Sequence, residues 1–144
     1  MTAFVIDASV AVKWVVQEPG TREALALGPA KLAAPDLIIP ESANILWKKH
    51  RLGQLTSAEA SIAAQLLEPP DIERVAMGAQ LHRATSLAIE LDQPGYDCFS
   101  IVLALDRRCA FAASDQRLLR KAQRSSRQDV ARSILDLKQA AVSV

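Results

Sequence analysis

Aromatic residues make up only 4% of the chain, so its interior must be built from Ala, Leu, Val and Ile. Cysteine is almost absent. Cys98 and Cys109 form neither a C-x-x-C pair nor a Cys/His zinc spacing, and they read as reduced, mostly buried thiols. The two histidines, His50 and His82, stand alone, so zinc is not the metal to expect. Charge of one sign is also missing: the formal net charge is +1, and no global field draws the chain to nucleic acid or membrane. Anion binding must come from local clusters. No apolar run approaches the ~18 residues of a membrane span. The first residues, MTAFVIDASVAVKW, are interrupted by Asp7 and Lys13 and lack the basic start of a signal peptide. A soluble, cytoplasmic protein with no membrane association is expected.

Present in abundance is alternating apolar structure. At 144 residues, half of them apolar, the chain suits one domain over residues 1–144 with one core. Ala3 to Ile6 reads as a buried strand, and Ala8 to Val16 as a helix stopped by Glu18-Pro19-Gly20. A short helix over Thr21 to Leu27 precedes a strand over Lys31 to Ala34. Pro40 is expected to open a helix running to about Arg51. Thr56 and Glu59 make a capping box for a helix reaching Leu67, and Pro69-Pro70 closes this hairpin. Ile72 to Val75 is a third strand. Helices follow over Gly78 to Leu91 and, very apolar, over Tyr96 to Asp106. Cys109 to Ala113 is a strand, Asp115 to Arg124 a helix, and Ser133 to Leu137 the last strand. Such alternation predicts an α/β fold of three layers: a mainly parallel sheet of four to five strands with helices on both faces.

Four acids then stand out at helix starts: Asp7, Glu41, Asp97 and Asp115. Each alone is explained by helix capping, worth ~0.3–1 kcal/mol against the macrodipole. Ligands of parallel sheets, however, sit beyond the carboxyl ends of the strands, and Asp7 and Asp115 closely follow strands. Two like charges ~4 Å apart repel by a few kcal/mol in a partly buried site. Capping is too weak to favour that crowding. A hard divalent cation such as Mg²⁺ removes the conflict. A phosphorylatable receiver domain also gathers acids on a sheet edge, but it needs a pair after the first strand, and here Asp7 stands alone.

The residues around these acids, VIDASVAVKW, PESANIL, GYDCFSIVLAL and AASDQRLLRKA, resemble the PIN-domain family, most closely the VapC-type ribonuclease toxins of bacterial toxin–antitoxin pairs. The stretches occur in the family's order across nearly the whole chain. The resemblance implies a PIN-like α/β/α fold, in which Asp7, Glu41, Asp97 and Asp115 are the catalytic acids holding Mg²⁺, with Mn²⁺ as a possible substitute. It implies supporting polar roles for Ser9, Asn44 and Ser114. Cys98 stands where a small residue such as Ala is commoner, and Ser114 where Thr is commoner. The activity implied is that of an endoribonuclease, the toxin of a type II pair, which hydrolyses RNA phosphodiester bonds with metal-activated water.

The acidic pocket would repel phosphate, so substrate attraction is needed elsewhere. Arg117, Arg120, Lys121 and Arg124 share one side of a predicted helix and are candidates for RNA binding, as is Lys13. Arg127 would extend that face. The apolar hairpin from Ile38 to Leu67 could offer a groove to an amphipathic helix, with Leu46 and Trp47 as contacts. In the family resembled, a cognate antitoxin wraps the toxin, and the toxin is commonly a homodimer. Two further functions remain open at this point: a housekeeping PIN nuclease in RNA maturation, and a non-catalytic binding module whose acids act only as caps.

Overall fold

The computed structural model of the chain describes residues 3–67 and 71–144. Five strands form one sheet: β1 (Ala3–Val5), β2 (Lys31–Pro35), β3 (Glu73–Val75), β4 (Ala110–Ala113) and β5 (Ile134–Asp136). Their order is β3-β2-β1-β4-β5, and every pairing is parallel. The helices are α1 (Ala8–Val12), α2 (Thr21–Ala26), α3 (Ile38–Arg51), α4 (Ser57–Leu67), α5 (Leu81–Leu91), α6 (Gly95–Arg107), α7 (Gln116–Gln123), α8 (Gln128–Arg132) and α9 (Leu137–Val142). A 3₁₀ turn, Gly78–Gln80, leads into α5.

Side chains alternate across the strands, as the pleat requires. Val5, Ala33, Phe111, Ala113 and Ile134 face one apolar core with Leu87, Ile101 and Leu118 from the helices. Phe4, Ile6, Leu32, Ala34 and Ala112 face the other, with Val10, Leu27, Ile38 and Leu137. Helices therefore cover both faces, and the inner strands β1, β2 and β4 carry short apolar runs because neither of their faces meets water, whereas the edge strand β3 exposes Glu73 and Arg74. α6 supplies much of the first core, burying Cys98, Ile101, Val102, Leu103 and Ala104.

Several boundaries differ from the sequence expectation. α1 ends at Val12 rather than Val16. Lys13, Trp14 and Val15 close tight bonds to the carbonyls three residues back, at 3.1 Å each. The Trp14 indole then donates to the Ala24 carbonyl at 2.8 Å, which pulls the chain off the helical path. α3 begins two residues before Pro40; proline is tolerated there because N–H groups of the first turn have no helical partner. The capping box is formed as expected, with Thr56 N–H donating to Glu59 Oε1 at 2.9 Å and Glu59 N–H to Thr56 Oγ1 at 3.1 Å. The last strand stops at Asp136, whose carboxylate accepts from Lys138 N–H at 2.9 Å and starts α9. Neither α8 nor α9 was anticipated, being only five and six residues long. The Pro69-Pro70 break lies outside the described residues.

Candidate functional site

Strand order reverses around β1: the chain builds outward to β2 and β3, then returns to place β4 and β5 on the opposite side. The crevice beyond the carboxyl ends of β1 and β4 is the topological switch point, where ligands bind in such sheets. Asp7 follows β1 and Asp115 follows β4, so both stand at this crevice. Each is the N-cap of the next helix. Asp7 Oδ1 accepts from Val10 N–H at 3.2 Å, and Asp115 Oδ1 from Arg117 and Leu118 N–H at 2.9 and 3.2 Å. Asp115 is thus the capping residue of α7.

Ser114 has another task. Its Oγ lies 3.1 Å from Ser9 Oγ, and Ser9 donates to Asp7 Oδ1 at 2.6 Å. This hydroxyl pair ties the end of β1 to the end of β4 and orients Asp7. Glu41 and Asp97 come from the first turns of α3 and α6. Asp97 Oδ2 accepts from Gln93 Nε2 at 3.0 Å. Asn44 sits one turn beyond Glu41 and is exposed.

The acids influence one another as charges. Burial pushes the Glu41 carboxyl up to about 7, with Asp7 and Asp97 adding repulsion. Burial likewise raises Asp7; hydrogen bonds from Ser9 and Val10 oppose this, and Asp97 adds to it. Asp97 is raised by burial, eased by the Gln93 bond and raised again by Asp115. The Cys98 thiol, buried beside Asp97, is pushed up to about 11. The four acids predicted from sequence are therefore linked electrostatically through Asp97, which repels Asp7 and Glu41 and is itself repelled by Asp115. As they stand, no group of three or more His, Cys, Asp or Glu among the described residues could hold a metal ion. The acids face one crevice without closing on a common point.

The donor set still fits a hard cation. It consists of carboxylate oxygens, which suit Mg²⁺ or Mn²⁺. Mg²⁺ keeps several waters and is usually held by one or two carboxylates, so a closed protein cage is not required.

The sequence candidates for phosphate contact divide. Arg117, Arg120 and Arg124 are exposed on α7, while Leu118, Leu119 and Ala122 are buried beneath. Lys121 instead donates to the Asp92 carbonyl. Lys13 is only 13% exposed and pairs with Glu18 at 3.2 Å, so it does not reach freely into the crevice. Arg127 is paired with Asp129 and Glu90 rather than extending the basic face. Leu46 is buried in the domain, whereas Trp47 is 53% exposed. Gln93 escaped sequence reasoning, because no motif marks a lone amide four residues before an acid.

A family model for the PIN domain matches residues 4–124. The chain belongs to the PIN domain family. PIN domains are typically nucleases and generally bind divalent metals, which agrees with an acidic crevice at a switch point. This PIN domain also shares its fold with the crystal structure of PAE2754 from Pyrobaculum aerophilum. The two align with a TM-score of 0.68 at 23% identity, over 99% of this chain and 88% of the other. Comparison with curated proteins finds no match. No helix among the described residues is long and apolar enough to cross a membrane.

Proposed function

We propose that this PIN domain is a Mg²⁺-dependent endoribonuclease acting as the toxin of a type II toxin–antitoxin pair. The observation that carries the nuclease part is the crevice itself: Asp7, Glu41 and Asp97 are all raised, first by burial and then by a neighbouring acid of the quartet, a conflict that a divalent cation relieves. The toxin part rests on the likeness of the four acidic stretches to VapC-type sequences.

Asp7 and Asp97 would hold the ion directly, with Glu41 and Asp115 completing the cluster through water. When bound, the ion lowers the pKa of a water and shields charge building on the phosphate. Glu41, with its proton exchanging near neutral pH, is suited to take the proton of the attacking water at a carboxylate oxygen. Ser9 holds Asp7 in register through its 2.6 Å bond, and Ser114 holds Ser9. The exposed Arg117, Arg120 and Arg124 would draw the RNA backbone along α7, whose first turn begins at Asp115.

The partners follow from the same reading. The groove lined by Ala11, Ile38, Ile39, Leu46, Leu67 and Ile72 would take an apolar helix face of an antitoxin. The toxin itself would be a homodimer working in the cytoplasm. The test is RNA cleavage in Mg²⁺, in EDTA, and by Asp7→Asn and Asp97→Asn. Cleavage should need the ion and both carboxylates. Growth arrest on expression should be relieved by Asp97→Asn. Cleavage that persists in EDTA would remove the metal reading, and cleavage without growth arrest would favour RNA maturation over a toxin.

A further inference from the structure

The four acids are not held alike. Asp7 accepts from Ser9 Oγ and Val10 N–H, and Asp115 from two backbone N–H groups. Among the described residues, Gln93 Nε2 is the donor that reaches Asp97. Gln93 is itself firmly placed. α5 ends in a left-handed residue, Asp92 at φ 52°, a conformation that Asp tolerates better than most. This turn lets Gln93 N–H bond back to the Ala88 carbonyl at 3.1 Å, as at a Schellman helix end. Lys121 of α7 clamps the Asp92 carbonyl from outside. The chain then passes through Pro94, the N-cap of α6, to Asp97.

The other half of the amide is costly. Gln93 Oε1 is buried with no hydrogen-bond partner among the described residues. Reversing the amide would not help, since an ionised carboxylate only accepts, and the nitrogen must face it. A buried acceptor without a donor opposes folding, and in native structures such groups are few. An apolar side chain of the same length would remove that cost, at the loss of the bond to Asp97.

We propose that Gln93 is a positioning residue for Asp97, turning its carboxylate for a divalent cation while its amide oxygen stays buried with no partner among the described residues. The inference rests on the metal reading of the crevice. Loss of such a supporting hydrogen bond typically weakens metal binding by about 10–100-fold.

The test compares wild type with Gln93→Met, which keeps the unbranched length, and with Gln93→Leu. Mn²⁺ alone is titrated by electron paramagnetic resonance, and the metal-free thermal midpoint is measured beside it. In Gln93→Met, Mn²⁺ affinity should fall about tenfold or more while the metal-free midpoint holds or rises. Gln93→Leu should lose the same affinity even if its shorter, branched shape lowers the midpoint. In cleavage assays both should lose kcat with KM for RNA little changed. Wild-type affinity in both variants would overturn the inference while leaving the metal site standing. A fall in midpoint with unchanged Mn²⁺ affinity, or a loss of affinity only in proportion to unfolding, would make Gln93 structural and overturn it too. Wild type that binds no Mn²⁺ would remove the metal reading and the inference together.

Discussion

At the residue scale, Glu41 offers the sharpest test because its carboxyl moves from an ordinary 4.5 to about 7. Between those values the folded chain holds a proton that the unfolded chain has released. Stability therefore falls as pH rises through that window. A divalent cation favours the ionised form. Mg²⁺ or Mn²⁺ should thus raise the thermal midpoint more on the alkaline side of the window than inside it, as followed by circular dichroism. Glu41→Gln removes the repulsion from Asp7 and Asp97 at a site partly screened by solvent. The metal-free midpoint should rise by about 2–4 °C, the size of ~1 kcal/mol for a domain of this length. Cleavage should fall about a hundredfold or more in the same variant. A midpoint that drops would show that the acids do not strain one another.

At the element scale, two features separate capping from chemistry. Asp115 caps α7 through Arg117 and Leu118 N–H, and Asn caps as well as Asp. Asp115→Asn should melt like wild type, whereas Asp115→Ala should lose ~1 kcal/mol. If the carboxylate serves the metal, both should lose cleavage alike. Parallel melting and cleavage measurements decide this.

The second feature is a brace between the segment after α1 and α3. Glu18 pairs with Lys13 at 3.2 Å and with Lys49 of α3, all three largely shielded from solvent. Gly20 makes room for it. It sits at φ 92°, and a Cβ there would meet the Lys13 side chain at 3.1 Å. Burial alone would raise the Glu18 carboxyl, but the bonds from Lys49 and Lys13 outweigh it and hold it below its ordinary value. Its stabilisation is present above the unfolded carboxyl pKa and is lost as pH falls through the lower, folded value. Glu18→Gln leaves two shielded ammonium groups unpaired and should cost about 1–2 kcal/mol near neutral pH. The variant should also lose less stability than wild type on acidification. Chemical denaturation across the acid range checks both.

At the scale of the whole molecule, the net charge of +1 gives no general attraction to RNA, so binding should depend on the arginines of α7. Replacing Arg117, Arg120 and Arg124 together by Ala should weaken RNA binding regardless of sequence. It should also flatten the dependence of log affinity on log salt by about 0.7 per lost contact with single-stranded RNA. An unchanged salt slope would place the RNA elsewhere.

How far the sequence was legible follows from what is local. Short apolar runs ending in acids announced β1 and β4, because a strand buried on both faces has only apolar residues to use. The capping box at Thr56 and Glu59 was visible for the same reason: its hydrogen bonds join residues three apart. α8 and α9 were missed because helices of five and six residues show too little periodicity. The early end of α1 was missed because its cause, the bond from Trp14 to the Ala24 carbonyl, spans ten residues.

The sequence by itself thus determined the order of the strands and longer helices and the layered fold, and it marked the four acids as candidates, since periodicity, caps and spacing are written along the chain. The bonds that hold Asp7, Asp97 and Asp115 are local, but only tertiary structure decided that the acids meet. The Ser9–Ser114 bridge joins residues 105 apart, Lys49 reaches Glu18 from 31 residues away, and Asp97 adds its repulsion to Asp7 and Glu41 from distant parts of the chain. Hydrogen bonds and charge interactions act through distance in space, and only the strand order that places β1 beside β4 turns separations along the chain into such distances.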